Sequence, residues 1–438
     1  MNTQASKFTP RIAMAVVVAN MIGTGVFTSL GFQLLDIQSG FVILMLWAVG
    51  GVMALCGALV YAELGSMFPR SGGEYNFLSE IYHPSAGFVS GWVSATIGFA
   101  APTALAAITF GKYLSSVFPA LSPIWLACAL VLTLTTVHAT SRKNSADLQG
   151  VFTVVKILLI FGFCVLSWIL IDEPQTVSFM PASGDGALVG SAAFAVSLIY
   201  VNYAYTGWNA ATYLSGEIES PQKNLPRILI VSTLAVMVMY VMLNFTFMYV
   251  APISDLAGKV EVGYVASQHV FGEVGAGIMG VLLSLLLIST VSAMVLAGPR
   301  VLQVIGEDFP VFRKMGKTNE HGVPAFAIWV QAALTLIFIL TASFESILIF
   351  AGFTLGVNTI FTVAGIFFLR YRQADTPRPF KAWGFPFTPL IYLTLSAWTL
   401  TYTLINRPAE GLSGMAIILA GFVFYGATKY FGQKIDEQ

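Results

Sequence analysis

The chain has 438 residues, of which 57% are hydrophobic and only 10% charged, with 21 basic residues balanced by 21 acidic ones. So little charge excludes an ordinary soluble domain, and zero net charge offers no electrostatic reason for a nucleic-acid partner. Apolar runs recur along the whole length without the alternating pattern of a membrane β-barrel, so the sequence reads as an all-α protein of the lipid bilayer.

Twelve transmembrane helices are expected, each near the ~20 residues a bilayer requires. In chain order they cover about 9–35, 40–67, 84–115, 122–141, 147–171, 188–216, 227–250, 273–305, 324–342, 346–369, 386–405 and 411–431. With the N-terminus in the cytoplasm, all but four of the 21 basic residues fall on the cytoplasmic side. The four are Lys112, Lys259 and Arg407 outside and Lys156 within a span. That asymmetry and the even span count put both termini inside. No cleavable leader is evident, because the apolar run after Lys7 and Arg11 is too long for one. Cys56, Cys128 and Cys164 all lie in apolar runs and read as unpaired packing residues.

Two of the spans are interrupted. The first holds Gly23-Thr24-Gly25 in its middle, and the sixth holds Thr206-Gly207 near its middle, with Asn202 and Asn209 alongside. Matching breaks in spans one and six divide the first ten spans into two halves of five, which an odd count sets in opposite orientations. A helix broken at mid-bilayer exposes N–H groups at one end and C=O groups at the other, and these must line a cavity rather than face lipid. The amide end favours an anion and the carbonyl end a cation, so two adjacent breaks suit the zwitterion of an α-amino acid. The competing reading is that these glycines only allow close helix packing.

At these motifs the sequence resembles the amino acid–polyamine–organocation (APC) superfamily, in particular bacterial amino acid permeases and L-amino acid exchangers. The matching stretches are IGTGVF, AELGSMFPRSGGEYNFLSEIYHPSAGFVSGW, YTGWNAATYLSGEIESPQKNLPR and AMVLAGPRVLQVIGED, which occur in the family's order. The resemblance implies a single transmembrane domain over 1–438 with a five-plus-five inverted-repeat, LeuT-like core (repeats about 9–171 and 188–369) and extra helices at about 386–431. It implies that Thr24 and the amides of Gly23 and Gly25 hold a substrate carboxylate. The backbone near Ile22, Tyr203 and Ala204 would take the ammonium, with the Tyr203 ring closing over it. Thr206, Gly207 and Asn209 would line the side-chain pocket. Thr206 stands where some large-neutral exchangers have Gly, which points to small substrates. Tyr240 matches an aromatic that some relatives place near the site, although it also fits as a packing tyrosine.

Lys156 lies well inside the fifth span. It could snorkel to the interface, or face inward, as functional intramembrane charges do. Relatives carry Lys there, at the position where sodium-coupled proteins of the same fold bind sodium, which implies a fixed cation served by Ser289 and Ser292 and sodium-independent transport. A proton-coupling role for the lysine stays open beside it. Glu63 is expected to meet Arg70 at the cytoplasmic end, and Glu217 and Glu219 to serve an inner gate or loop.

The implied activity is secondary transport of small or medium neutral amino acids, as exchanger or proton symporter, in a bacterial inner membrane. Cationic substrates are disfavoured because no acidic residue stands beside either break in the sequence. No cofactor is expected. His83, His138, His269 and His321 show no metal-site spacing, and no phosphate-binding loop is present for ATP drive. Neither channel charge rings nor an enzyme's convergent titratable groups are visible. A non-transporting amino acid sensor, or a permease for another amine or amino-acid derivative, remains as the alternative. Relatives that pair with a heavy chain use a cysteine between the third and fourth spans. SSVFPALSP has none, so no disulfide-linked heavy chain is expected.

Overall fold

The computed structural model describes residues 8–140, 145–309, 312–320 and 322–436. Lys7, His321 and, among the basic residues counted above, Arg142 and Lys143 lie outside the described residues. The described chain is helical, with one isolated bridge between Phe8 and Ile218.

The helices in order are α1 (Pro10–Met21), α2 (Gly25–Asp36), α3 (Gly40–Met67), α4 (Glu74–Ile81), α5 (Pro84–Val93) and, after a π turn at Ser94–Gly98, α6 (Ala100–Val117). Next come α7 (Pro123–Thr140), α8 (Ser145–Leu170), the short α9 (Asp185–Val189), α10 (Ala192–Tyr205) and a 3₁₀ segment, Ala210–Glu217. The chain continues through α11 (Pro221–Val250), α12 (Ile253–Leu256), α13 (Val262–Asp308), α14 (Arg313–Gly316), α15 (Ala325–Thr341), α16 (Phe344–Arg372), α17 (Phe387–Asn406) and α18 (Pro408–Asp436). Among the described residues nine helical stretches are long and apolar enough to cross a membrane: α1–α2, α3, α5–α6, α7, α8, α11, α13, α16 and α18. The remaining expected spans show why they fall short of that measure. α15 is apolar but shorter, α17 is rich in threonine, and α10 is cut off at its break.

α13 is longer than the expected eighth span. The segment before it also folds as helix and joins at a kink, where Gly272 has φ 64°. Two large apolar clusters form most of the interior, one around α1, α3, α8 and α11 and the other around α6, α7, α15 and α16, with a smaller third around Phe88, Leu302 and Ile305. α10 supplies both, with Leu198, Val201 and Tyr205 in the first and Ile199, Tyr200 and Tyr203 in the second. A helix apolar on all sides belongs in such a position. α8 shows the opposite pattern. Val154, Leu158, Phe161 and Ile169 are exposed, while Lys156, Ile160, Phe163 and Cys164 are buried.

Candidate substrate site

The first break begins where α1 stops at Met21. Ile22 leaves helical geometry (φ −75°, ψ 79°) and α2 restarts at Gly25. The second begins at Thr206 (φ −55°, ψ 150°), whose N–H and hydroxyl both donate to Tyr203 O, at 3.0 and 2.6 Å. Gly207 follows with φ 98°, a region that glycine enters without strain. The two breaks touch. A Cβ on Gly25 would lie 2.5 Å from Ala204 Cα, and one on Gly207 would lie 2.8 Å from the Asn20 carbonyl carbon. The glycines therefore bring two backbones together, and each break faces the other helix.

The carbonyl end of the first break is well served. Lys156 is buried, and its Nζ donates to Ile22 O (3.2 Å) and to Thr290 Oγ1 (2.8 Å). This inward orientation removes the snorkelling alternative for Lys156. The Tyr240 hydroxyl lies within hydrogen-bonding reach of both Met21 O and Ala204 O, the latter at 3.0 Å, so one side chain of α11 serves both breaks. A small cavity of about 10 Å³ beside Lys156 is bordered by Gly23, Phe27 and Thr290.

Several expected positions differ in detail. The Gly23 N–H already donates to Met21 O (2.8 Å), so it is occupied. The amides of Thr24, Gly25 and Val26 begin α2 and have no acceptor within their own helix. Thr24 is buried, and its side chain interacts with the Tyr203 hydroxyl. Ser292 does not turn towards Lys156. Its hydroxyl meets His138 Nε2 of α7 at 2.7 Å, because helical rotation puts Thr290 and Ser292 on different faces of α13. Ser289 is buried. Thr290, which sequence reasoning passed over, meets Lys156 where Ser292 was expected. Asn209 donates to Glu74 Oε1 (3.2 Å). Glu63 does not pair with Arg70; it accepts from Arg370 (2.6 and 3.0 Å) and from the Ala382 N–H (2.6 Å), with Arg378 at 3.3 Å. At the chain's start, Phe8 N–H donates to Glu217 O (2.7 Å) and Glu219 N–H donates to Phe8 O (3.1 Å), so these glutamates act through their backbones.

Glu74 is the functional group that sequence reasoning missed. It opens α4, just after Gly72 and Gly73, whose positive φ values (128° and 52°) make the turn. A carboxylate in the first helical turn is favoured by the helix dipole. Its two oxygens accept from Tyr61 of α3, from Asn358 of α16 (2.6 Å), and from Asn209 (3.2 Å) and Tyr213 (3.4 Å) of the sixth-span exit, with the Thr359 hydroxyl at 3.4 Å. Burial, the dominant effect, pushes this carboxyl above its ordinary range, and the donated hydrogen bonds oppose that shift. The signal in the sequence was the Gly-Gly pair directly ahead of a Glu.

A family profile described as Amino acid permease matches residues 9–426. The chain belongs to the amino acid permease family. It is therefore an integral membrane transporter of the APC superfamily and not an enzyme. Similar curated proteins agree. The mouse b(0,+)-type amino acid transporter 1 is 26% identical over 430 residues, which is 95% of this chain and 87% of its own. The large neutral amino acids transporter small subunit 2 is 28% identical over 439 residues in mouse and in human, covering 96% of this chain and 81% and 80% of theirs.

Proposed function

We propose that this permease is a sodium-independent secondary transporter of small or medium neutral L-amino acids, working by alternating access as an exchanger or proton symporter. The observation that carries the reading is the contact between the breaks, Gly25 on Ala204 and Gly207 on Asn20. It gathers the unpartnered amides of α2 and the carbonyl ends of α1 and α10 around one point, as a zwitterion requires. In this reading Thr24 and the amides of Gly25 and Val26 hold the carboxylate. The carbonyls of Ile22 and Ala204 each keep a second lone pair for the ammonium, whereas Tyr203 O, which already accepts two bonds from Thr206, would have to give one up to join them. Tyr203 closes over the substrate, Thr206 and Gly207 border its side chain, and Lys156 with Thr290 and Tyr240 braces the first break as a fixed cation site.

The reading takes the chain as one domain of twelve spans, with α10 and its 3₁₀ exit, α15 and α17 added to the nine. The halves at about 9–171 and 188–369 form the LeuT-like inverted repeats, and both termini face the cytoplasm of a bacterial inner membrane. The disfavouring of cationic substrates no longer rests on a lack of acid near the breaks, because Glu74 bonds Asn209. It rests on the full engagement of that carboxylate by neutral donors. The small-subunit names of two relatives leave the expectation of a chain without a linked partner unsupported. What favours it is that Cys56, Cys128 and Cys164 are all buried, so a disulfide to a heavy chain would have to expose one of them.

The test is uptake by purified protein in sodium-free liposomes of labelled L-alanine, L-serine, L-leucine, L-lysine and L-arginine. Vesicles are empty, preloaded with the same amino acid, or given a pH gradient. Uptake only into preloaded vesicles establishes exchange, and gradient-driven uptake into empty ones establishes symport. A strict sodium requirement removes the fixed-cation role of Lys156. No uptake of any of them overturns the transport reading and brings the sensor forward.

A further inference from the structure

A second cavity, of about 50 Å³, lies on the side of α10 that faces α16 and α17. It meets the candidate site at Tyr203 and Thr206, and its other polar borders include Thr359 of α16 and Tyr392, Ser396 and Thr399 of α17. A water needs roughly 10–15 Å³ of such space, so the cavity has room for about three to five water-sized groups. That suits a short polar side chain and not a large apolar one.

The hydroxyls on α17 are the telling feature. Most buried threonines elsewhere among the described residues close a hydrogen bond to a carbonyl about one turn back, as Thr28, Thr109, Thr233 and Thr403 do, with Thr135 an exception that borders no such cavity. Thr399 is equally buried and makes no such bond, and its Oγ1 is without a hydrogen-bond partner. The Ser396 Oγ, one turn away on the same face, faces the Tyr392 hydroxyl without closing a hydrogen bond in good geometry. Buried polar groups are satisfied as a rule, and unsatisfied ones lining a space call for a guest that satisfies them. The residues bordering the cavity carry no carboxylate, amine or guanidinium. A charged guest would therefore be desolvated without a counter-charge, whereas a hydroxyl or carboxamide would be fully served.

We propose that this cavity is the side-chain subsite of the permease, and that Ser396 and Thr399 of α17 select neutral amino acids whose side chains end in a hydroxyl or carboxamide. The inference rests on the proposed binding of an amino acid backbone at the breaks. It assigns a selective role to a helix outside the two repeated halves.

The experiment measures kcat/KM in proteoliposomes for two isosteric pairs, L-threonine against L-valine and L-serine against L-alanine. The variants are Thr399→Val, Ser396→Ala and Thr399→Ser. Wild type is expected to favour the hydroxyl member of each pair. Thr399→Val and Ser396→Ala are expected to reduce that ratio about three- to tenfold, the effect of one hydrogen bond, and Thr399→Ser is expected to restore it. A structural role for these residues would lower both members of a pair together. An unchanged ratio in both variants, or a wild type indifferent to the hydroxyl, overturns the subsite while leaving amino acid transport standing. Uptake of none of the four amino acids overturns the transport reading and the subsite with it.

Discussion

The two helix breaks are built alike in backbone and oppositely in support. Lys156 braces the first, a buried cation that donates to Ile22 O and to Thr290. The second is capped by its own Thr206 and tied through Asn209 to Glu74, a buried carboxylate that gathers donors from three other helical segments. The difference follows from which groups each break leaves unpaired. α1 ends in carbonyls that need donors, and a lysine provides them from across the protein. Beyond Gly207 the 3₁₀ segment satisfies its carbonyls locally, with Ala210 N–H on Gly207 O and Thr212 on Asn209 O. What it needs is anchorage, and a carboxylate that accepts several amides and hydroxyls at once provides that. Tyr240, within reach of Met21 O and Ala204 O, is where the two supports meet.

The sharpest way to break this arrangement is to separate the backbones. Gly25→Ala puts a methyl 2.5 Å from Ala204 Cα, a main-chain atom that cannot rotate aside. Gly23→Ala, two residues earlier, meets nothing nearer than Met21 O at 4.0 Å. Overpacking of this kind costs about 1–3 kcal/mol, or roughly 5- to 150-fold, and Gly25→Ala should sit at the upper end in exchange rate, with Gly23→Ala far milder. Equal losses in side-by-side proteoliposome assays would mean that the contact between the breaks does not govern transport.

Removing the cation tests the first break alone. Lys156→Met keeps the bulk and loses the charge, and the bond to Ile22 O that braces the break is of a class that contributes roughly 1.5–3 kcal/mol. Turnover should fall about 10- to 100-fold, a smaller effect than that of Gly25→Ala, and substrate affinity measured on the solubilised protein should fall much less. An unimpaired turnover would leave Lys156 with no part in the cycle, despite its bond to Ile22.

What the sequence could show depended on whether a feature was local. The breaks stood out because glycine and threonine interrupt apolar runs, and Lys156 because it is the one basic residue well inside a span. The helical frame was equally plain, since span length follows from bilayer thickness. Thr290 was not legible. Ser289, Thr290 and Ser292 share one turn of α13, and only the angle at which α13 packs against α8 decides which of them meets the lysine. Glu74 was hidden differently. Its segment reads as a polar cytoplasmic turn, and its burial is created by Asn209 and Asn358, 135 and 284 residues away in sequence. The α17 hydroxyls were missed for the same reason, because a threonine-rich helix gives no sign of which hydroxyl will lack a partner.

Glu74→Gln tests the anchorage of the second break. The glutamine amide sets an NH₂ group in place of one oxygen, against the donor of either Asn358 or Asn209, so at least one hydrogen bond is lost, and turnover should drop about tenfold, less than for Lys156→Met. The pH dependence of stability makes this prediction specific to the carboxyl. Burial raises the Glu74 pKa above its ordinary value, so the folded protein holds a proton there that the unfolded chain has already released. Stability from this group is then fully present below the ordinary carboxylate pKa and falls as pH rises towards the raised folded value. Glutamine has no such dependence. The Tm advantage of wild type over Glu74→Gln should therefore be largest in acid and narrow as pH rises through that window. A gap that stays constant across the window would show that Glu74 holds the same proton in the fold as in the open chain, and that its donors cancel its burial.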